Sequence, residues 1–387
     1  MTVHPSERVS VLPQYPFAKL DEIIRTRRER GQKVLTLNVG DPDLPTPPFI
    51  VEALVEATRD PEDQGYSSSD GEKWFKEAVA DWYSKRFGVS LDPSTEVCTL
   101  IGSKEGLANV ARAFVDPGDK VMFPDPSYPV YKIGGALLMG ARAIPRPLSS
   151  EDGYKMSLRK RDLKDVKLLF VNYPHNPTGA VADREDLEEL VGAARESGTL
   201  VCYDNAYSEM TYGSYVAPSI LQVDADKEIS VEVHSCSKTF AMTGYRIGYA
   251  VGSKKAIAGL KAIKSQVDSG PPKFIQRAAK AALDSYTSSS RPKEVEAPIK
   301  VYERRLKLLA DGLSRLGHKV RPPQGTFYIW QRVDGTSAAF AERLLRAGVV
   351  ITPGTTFGEG GEGYVRWSVS RPTEVIKEAL EILEELS

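Results

Sequence analysis

Between residues 97 and 251 the chain repeats short apolar runs that end in polar residues and are separated by stretches with helical spacing. The runs are Val97-Cys98-Thr99-Leu100-Ile101, Lys167-Leu168-Leu169-Phe170-Val171-Asn172, Thr199-Leu200-Val201-Cys202-Tyr203-Asp204 and Ile229-Ser230-Val231-Glu232-Val233-His234. This pattern predicts an α/β fold, a largely parallel sheet covered by helices, with ligands gathering beyond the carboxyl ends of the strands. Upstream, Leu20, Ile23 and Ile24 share one face of a helix over residues 20–30 that stops at Gly31, and Val34 to Val39 reads as a strand entering the turn-rich Gly40-Asp41-Pro42-Asp43-Leu44-Pro45. Between Gly71 and Gly88, Trp74, Phe75, Ala78, Val79, Trp82 and Tyr83 form a broad apolar helical stripe, read as core. After a Ser/Pro-rich interval from Ser285 to Pro292, residues Val301 to Leu316 have the period of a long amphipathic helix, and Glu374 to Leu386 predicts a closing one.

At 387 residues the chain is longer than one core usually supports, so it divides into a large domain and a smaller one. The boundaries read from the pattern are an N-terminal arm with part of the small domain over 1–45, a large ligand-binding domain over 46–290 and a small domain over 291–387. With 41% hydrophobic and 27% charged residues it has the make-up of a globular protein. Its 51 basic and 52 acidic residues leave a net charge of -1, which argues against nucleic-acid or membrane partners. Cys98, Cys202 and Cys236 lack CxxC spacing, and the four histidines lack i,i+4 pairing. Neither a disulfide framework nor a metal site is expected, and a reducing cytoplasm fits. The start has no apolar leader, and no stretch is long and apolar enough for a membrane helix.

The chemistry concentrates in Ser235-Cys236-Ser237-Lys238-Thr239-Phe240, eight positions before Arg246, with Asn176, Asp204 and Tyr207 upstream. An amine, hydroxyls with a guanidinium, and a carboxylate answer the needs of pyridoxal phosphate for an imine, a phosphate site and a partner for its pyridine nitrogen. For Lys238 to react, its ordinary pKa of about 10.4 must fall, at a cost of roughly 3 to 4 kcal/mol. Burial and the neighbouring cation Arg246 would lower it. Asp204 ends an apolar strand, where a carboxylate needs a charged or hydrogen-bonded partner; capping the next helix is the other use open to it. Gly102-Ser103-Lys104 opens a helix read from Glu105 onward and offers amide groups to an anion. Tyr128 fits stacking on a pyridine face, or an ordinary core position. Arg366, inside Gly363-Tyr364-Val365-Arg366-Trp367-Ser368-Val369, wants a bidentate carboxylate, supplied by a substrate or by an internal salt bridge. Gly358 to Gly363 matches GxGxxG but precedes a strand, so it is not read as a dinucleotide motif.

Taken in order, these motifs resemble the class I/II aminotransferases of the fold-type I pyridoxal-phosphate superfamily, from Tyr15 to the C-terminus. The resemblance implies that Lys238 is the Schiff-base lysine and proton shuttle, that Asp204 pairs with the pyridinium, and that Asn176 and Tyr207 contact the phenolic oxygen. It implies a phosphate site of Gly102, Ser103, Lys104, Ser235, Ser237 and Arg246, with Tyr128 against the ring. Tyr66 would reach the phosphate of a neighbouring subunit, making a homodimer, while Arg366, Gly40, Asn176 and Tyr15 would hold the substrate. The partners expected are an amino acid and a 2-oxo acid, glutamate being the expected donor.

Within the family, Gly40-Asp41-Pro42-Asp43-Leu44-Pro45-Thr46-Pro47, Ile101-Gly102-Ser103-Lys104-Glu105-Gly106 and Val267-Asp268-Ser269-Gly270 look most like the LL-diaminopimelate group. After Tyr66, where that group leads one to expect an acidic residue, Ser67, Ser68 and Ser69 precede Asp70. Aspartate, alanine, aromatic and N-succinyldiaminopimelate donors stay open, as does C–S β-lyase chemistry on the same scaffold.

Overall fold

The structure is a computed structural model that describes residues 3–10, 12, 13 and 16–386, with the side chains of 16–20 outside the description. Its centre is a seven-stranded sheet. In chain order the strands of the molecule are β1 (Leu35–Thr36), β2 (Val97–Leu100), β3 (Lys120–Asp125), β4 (Arg142–Pro147), β5 (Val166–Asn172), β6 (Leu200–Asp204), β7 (Ser230–Ser235), β8 (Gly248–Gly252), β9 (Tyr328–Arg332), β10 (Val349–Val350), β11 (Thr352–Pro353) and β12 (Tyr364–Ser368). The large sheet runs β2-β8-β7-β6-β5-β3-β4, and β8 alone lies antiparallel to its neighbours.

The apolar runs are continuous because both faces of this sheet are covered. Leu168, Phe170, Cys202, Val231 and Val233 pack with Leu107, Val110, Ile257 and Leu260 of the helices Ser103–Phe114 and Lys254–Val267. Leu169, Val171, Val201 and Tyr203 turn to the other face, against the helices Lys73–Phe87 and Arg184–Ser197. The stripe expected between Gly71 and Gly88 is buried at Phe75, Ala78, Val79, Trp82 and Tyr83.

The two ends of the chain meet in smaller sheets. β1 pairs in parallel with β10, and β11-β12-β9 form an antiparallel sheet that carries Arg366 on β12. The Val34–Val39 run is thus a strand only at Leu35–Thr36, because β10 offers just two residues to pair with. The helix expected from Val301 begins earlier, at Lys293, and takes Pro298 inside it. A proline so near a helix start forfeits a single backbone bond, which burial of Val295 and Ile299 offsets. No helix among the described residues is long and apolar enough to cross a membrane.

Candidate active site

A cavity of about 440 Å3 opens where β5, β6 and β7 end, between the large sheet and β12. Twelve of the residues singled out in the sequence line it: Gly40, Ser103, Lys104, Tyr128, Asn176, Asp204, Tyr207, Ser235, Ser237, Lys238, Arg246 and Arg366. Gly102 stands just behind as the N-cap of the helix Ser103–Phe114, which starts two residues before the expected Glu105. Tyr66 is 91% exposed and does not line the cavity of its own chain. Tyr15 lies outside the described residues.

Lys238 sits in the single turn Cys236–Thr239 that follows β7, and its Nζ donates to the backbone O of Gly40 at 2.6 Å. Burial pushes its pKa down to about 8; Asp41 and Asp204 oppose this, while Arg366 and Arg246 add to it. Of the two causes expected from the sequence, burial is the larger and Arg246 the smaller.

Asp204 closes β6 with its carboxylate on the cavity face. Tyr131 Oη donates to its Oδ2 at 2.7 Å and the Ala206 amide to its Oδ1 at 3.2 Å. Burial raises its pKa to about 6 even though both bonds favour the charged form. A carboxylate held at such cost facing a cavity wants a cation there. Next to it on β5, Asn172 donates to Asp204 O and accepts from the Asn176 amide, fixing the turn that carries Asn176.

Ser103, Lys104, Ser235, Ser237 and Arg246 line the same cavity. Burial and then Arg246 lower the pKa of Lys104, two cations sharing a site that an anion would relieve. Gly102 has φ +76, and a Cβ there would strike the Arg246 guanidinium, so only glycine lets helix and arginine approach.

Arg366 is 3% exposed. It donates through Nη1 to Asn176 Oδ1 at 2.8 Å and through Nη2 to Asn38 O at 2.7 Å, between the rings of Tyr328 and Phe357. Tyr328 also meets Tyr207, hydroxyl to hydroxyl, at 3.0 Å, and fills the space a Cβ on Gly40 would take. Tyr131, Asn172 and Tyr328 escaped the sequence reading. Only Asn172, polar at the end of a buried strand, carried a local signal.

The donor set fits pyridoxal 5′-phosphate: one cavity holds anion-binding groups, a carboxylate awaiting a cation and an amine of reduced basicity. Fold and site together define a pyridoxal-phosphate enzyme of fold type I. The chain belongs to the aminotransferase class I and II family, whose model matches residues 32–383. It is 44% identical over 389 residues to an LL-diaminopimelate aminotransferase of Desulforudis audaxviator, covering 99% of this chain and 98% of that one. An LL-diaminopimelate aminotransferase of Aquifex aeolicus is 46% identical over 387 residues, 98% of each chain. Among solved structures, BacF of Bacillus subtilis matches with a TM-score of 0.93 at 34% identity, over 100% of this chain and 98% of that one. The chain is therefore a pyridoxal-phosphate-dependent aminotransferase acting on small amino and 2-oxo acids.

Proposed function

We propose that this aminotransferase moves an amino group between LL-diaminopimelate and 2-oxoglutarate, a step of lysine biosynthesis. The observation that carries this reading is identity of 44% to 46% over nearly the whole chain to relatives of that activity.

In this reading Arg366 clasps the substrate α-carboxylate as a bidentate pair, with Asn176 holding the guanidinium in plane. Ser103, Lys104, Ser235, Ser237 and Arg246 would hold the cofactor phosphate, Tyr128 would support its ring, and Asn176 and Tyr207 would donate to its phenolic oxygen. Burial raises the Tyr207 hydroxyl well above its ordinary pKa, so it remains a donor. Bound pyridoxal 5′-phosphate supplies the electron sink for the charge left at Cα. Asp204 sets its negative charge against the pyridine nitrogen. Lys238 Nζ, with a pKa near 8, is partly neutral at neutral pH, so it takes the Cα proton as a base and returns it as an ammonium. Tyr66, exposed on its own chain, reaches the phosphate site of a second copy in a homodimer. A cytoplasmic setting suits three buried, unpaired thiols.

One observation favours a second reading, a donor other than diaminopimelate. Asp70, the first carboxylate after Tyr66, is spent internally: Lys76 lies at 2.6 Å and Lys261 at 2.9 Å. Burial would raise its pKa, yet Lys76, Ser68 and Lys261 hold it at about 2. The visible spectrum of the holoenzyme separates the readings. Bleaching of the cofactor band by LL-diaminopimelate, and its recovery with 2-oxoglutarate, is the expected result. Bleaching by aspartate or an aromatic amino acid but not by LL-diaminopimelate would transfer the assignment to the second reading.

A further inference from the structure

The glycine run from 358 to 363, which precedes β12, encloses a carboxylate. Asp125, the last residue of β3, points into the paired turns Gly354–Phe357 and Glu359–Gly361 that link β11 to β12. Its Oδ1 accepts from the Gly360 amide at 3.1 Å. A Cβ on Gly358, at φ +128, would overlap that same oxygen, and one on Gly360 would stand 2.8 Å from the Asp125 carbonyl. Two residues on, the Ser127 amide donates to Phe357 O at 2.7 Å. The segment that ends β3 thus grips the turn at two points, and one of them is Phe357 itself, 3% exposed, its ring 4.6 Å from the Arg366 guanidinium. Burial raises the pKa of the Asp125 carboxyl while the Gly360 amide lowers it, as expected of an acceptor drawn into a tight backbone cradle.

We propose that Asp125 is a positioning residue for substrate carboxylate binding: through the Gly358/Gly360 cradle it fixes the turn that keeps Phe357 on Arg366. The proposal rests on the reading of Arg366 as the α-carboxylate anchor. With the turn held, the guanidinium is confined between Phe357 and Tyr328 and its donors keep one plane; with the turn loose, the arginine loses one wall. The consequence falls on substrate affinity, since neither Asp125 nor Phe357 lines the cavity.

Holoenzyme carrying Asp125→Ala, Asp125→Asn, Phe357→Leu, Asp125→Ala with Phe357→Leu, or Arg366→Lys would be compared with the unaltered enzyme for L-glutamate and 2-oxoglutarate. Loss of a hydrogen bond to a charged group predicts a KM about tenfold higher for both substrates in Asp125→Ala, with kcat and the cofactor band nearly unchanged. Asp125→Asn keeps an acceptor oxygen and stays near the parent value. The double variant is no worse than Phe357→Leu, because both changes act on one contact. An unmoved KM, additive effects in the double variant, equal damage from Asn and Ala, or a loss of cofactor in Asp125→Ala each overturns the proposal. If Arg366→Lys raises KM while Asp125→Ala does not, only this proposal fails; if Arg366→Lys leaves KM unmoved, the carboxylate reading fails and takes the proposal with it.

Discussion

Replacing Tyr131 by phenylalanine isolates one hydrogen bond at the heart of the site. The ring is fully buried and stacked on Phe170 at 5.0 Å, so phenylalanine keeps the packing and deletes only the donor to Asp204 Oδ2. A hydrogen bond to a charged group is worth about 1.5 to 3 kcal/mol, equivalent to raising the Asp204 pKa by about 1 to 2 from its value near 6. Binding of a pyridinium selects the ionised carboxylate. Where the apoprotein is already ionised, parent and variant therefore bind the cofactor alike. Where it is protonated, the variant pays the extra deprotonation. Titrating apoprotein with pyridoxal 5′-phosphate should thus show affinity about 10- to 100-fold weaker in the variant near pH 5, converging on the parent near pH 9. Titration of the cofactor and of Lys238 is common to both proteins and cancels in the ratio. A ratio independent of pH, or no change at any pH, would refute the argument that the Asp204 charge holds the cofactor and that Tyr131 sustains it.

Other consequences follow from the same geometry. Asp204 has a folded pKa of about 6 against an ordinary 3.8, so its neutral form is the one the fold favours: its contribution is intact below the ordinary value and is lost as pH rises through 6. Apoprotein should therefore lose up to about 3 kcal/mol over that window relative to Asp204→Asn, read from chemical denaturation at several pH values; parallel curves for the two proteins would contradict it. Gly102→Ala forces a Cβ against Arg246 at φ +76, and the strain of about 1 to 2 kcal/mol should weaken cofactor binding about 5- to 30-fold by equilibrium dialysis, whereas unchanged affinity would separate Gly102 from the phosphate site. Lys238→Ala is expected to abolish turnover and Tyr66→Ala to impair it. If Tyr66 serves a second copy, mixing the two variants restores up to about a quarter of parental activity, because half of the symmetric pairs are hybrids with one complete site. No gain on mixing would argue against the shared site.

The parts of the site that were legible in the sequence are those whose backbone position alone demands an explanation. Lys238 beside small hydroxyl residues, Asp204 at the end of a buried strand and Ser103 after Gly102 all stand where polarity is costly or amide groups are unsatisfied. Tyr131 gave no such sign: in Tyr128-Pro129-Val130-Tyr131 it reads as core, and only the assembled fold brings its hydroxyl to Asp204, 73 residues away. Tyr328 was hidden in the same way, its meeting with Tyr207 spanning 121 residues. The GxGxxG match at 358–363 gives no sign of the carboxylate it surrounds, which comes from 235 residues upstream. Helix limits slipped at Pro298, where local propensity opposed packing that prevailed.

A carboxylate on a buried strand is not by itself a mark of function, and β7 supplies the control. Glu232 is fully buried beside Asp204 in the sheet, yet it points to the opposite face and its acceptors are consumed. Asn205 and His234 reach its Oε1 at 2.7 Å, while Ser219 Oγ at 2.6 Å and the Ile220 amide at 3.0 Å reach its Oε2. Both oxygens of Glu232 are thus occupied by donors inside the fold, the form in which a protein tolerates a buried polar group. Asp204 has two donors, one of them a long bond, and its open side faces a cavity. What separates the two residues is acceptor capacity left over and aimed at space. That quantity depends on which face each strand turns to the helices, and so it becomes visible only when the sheet is assembled.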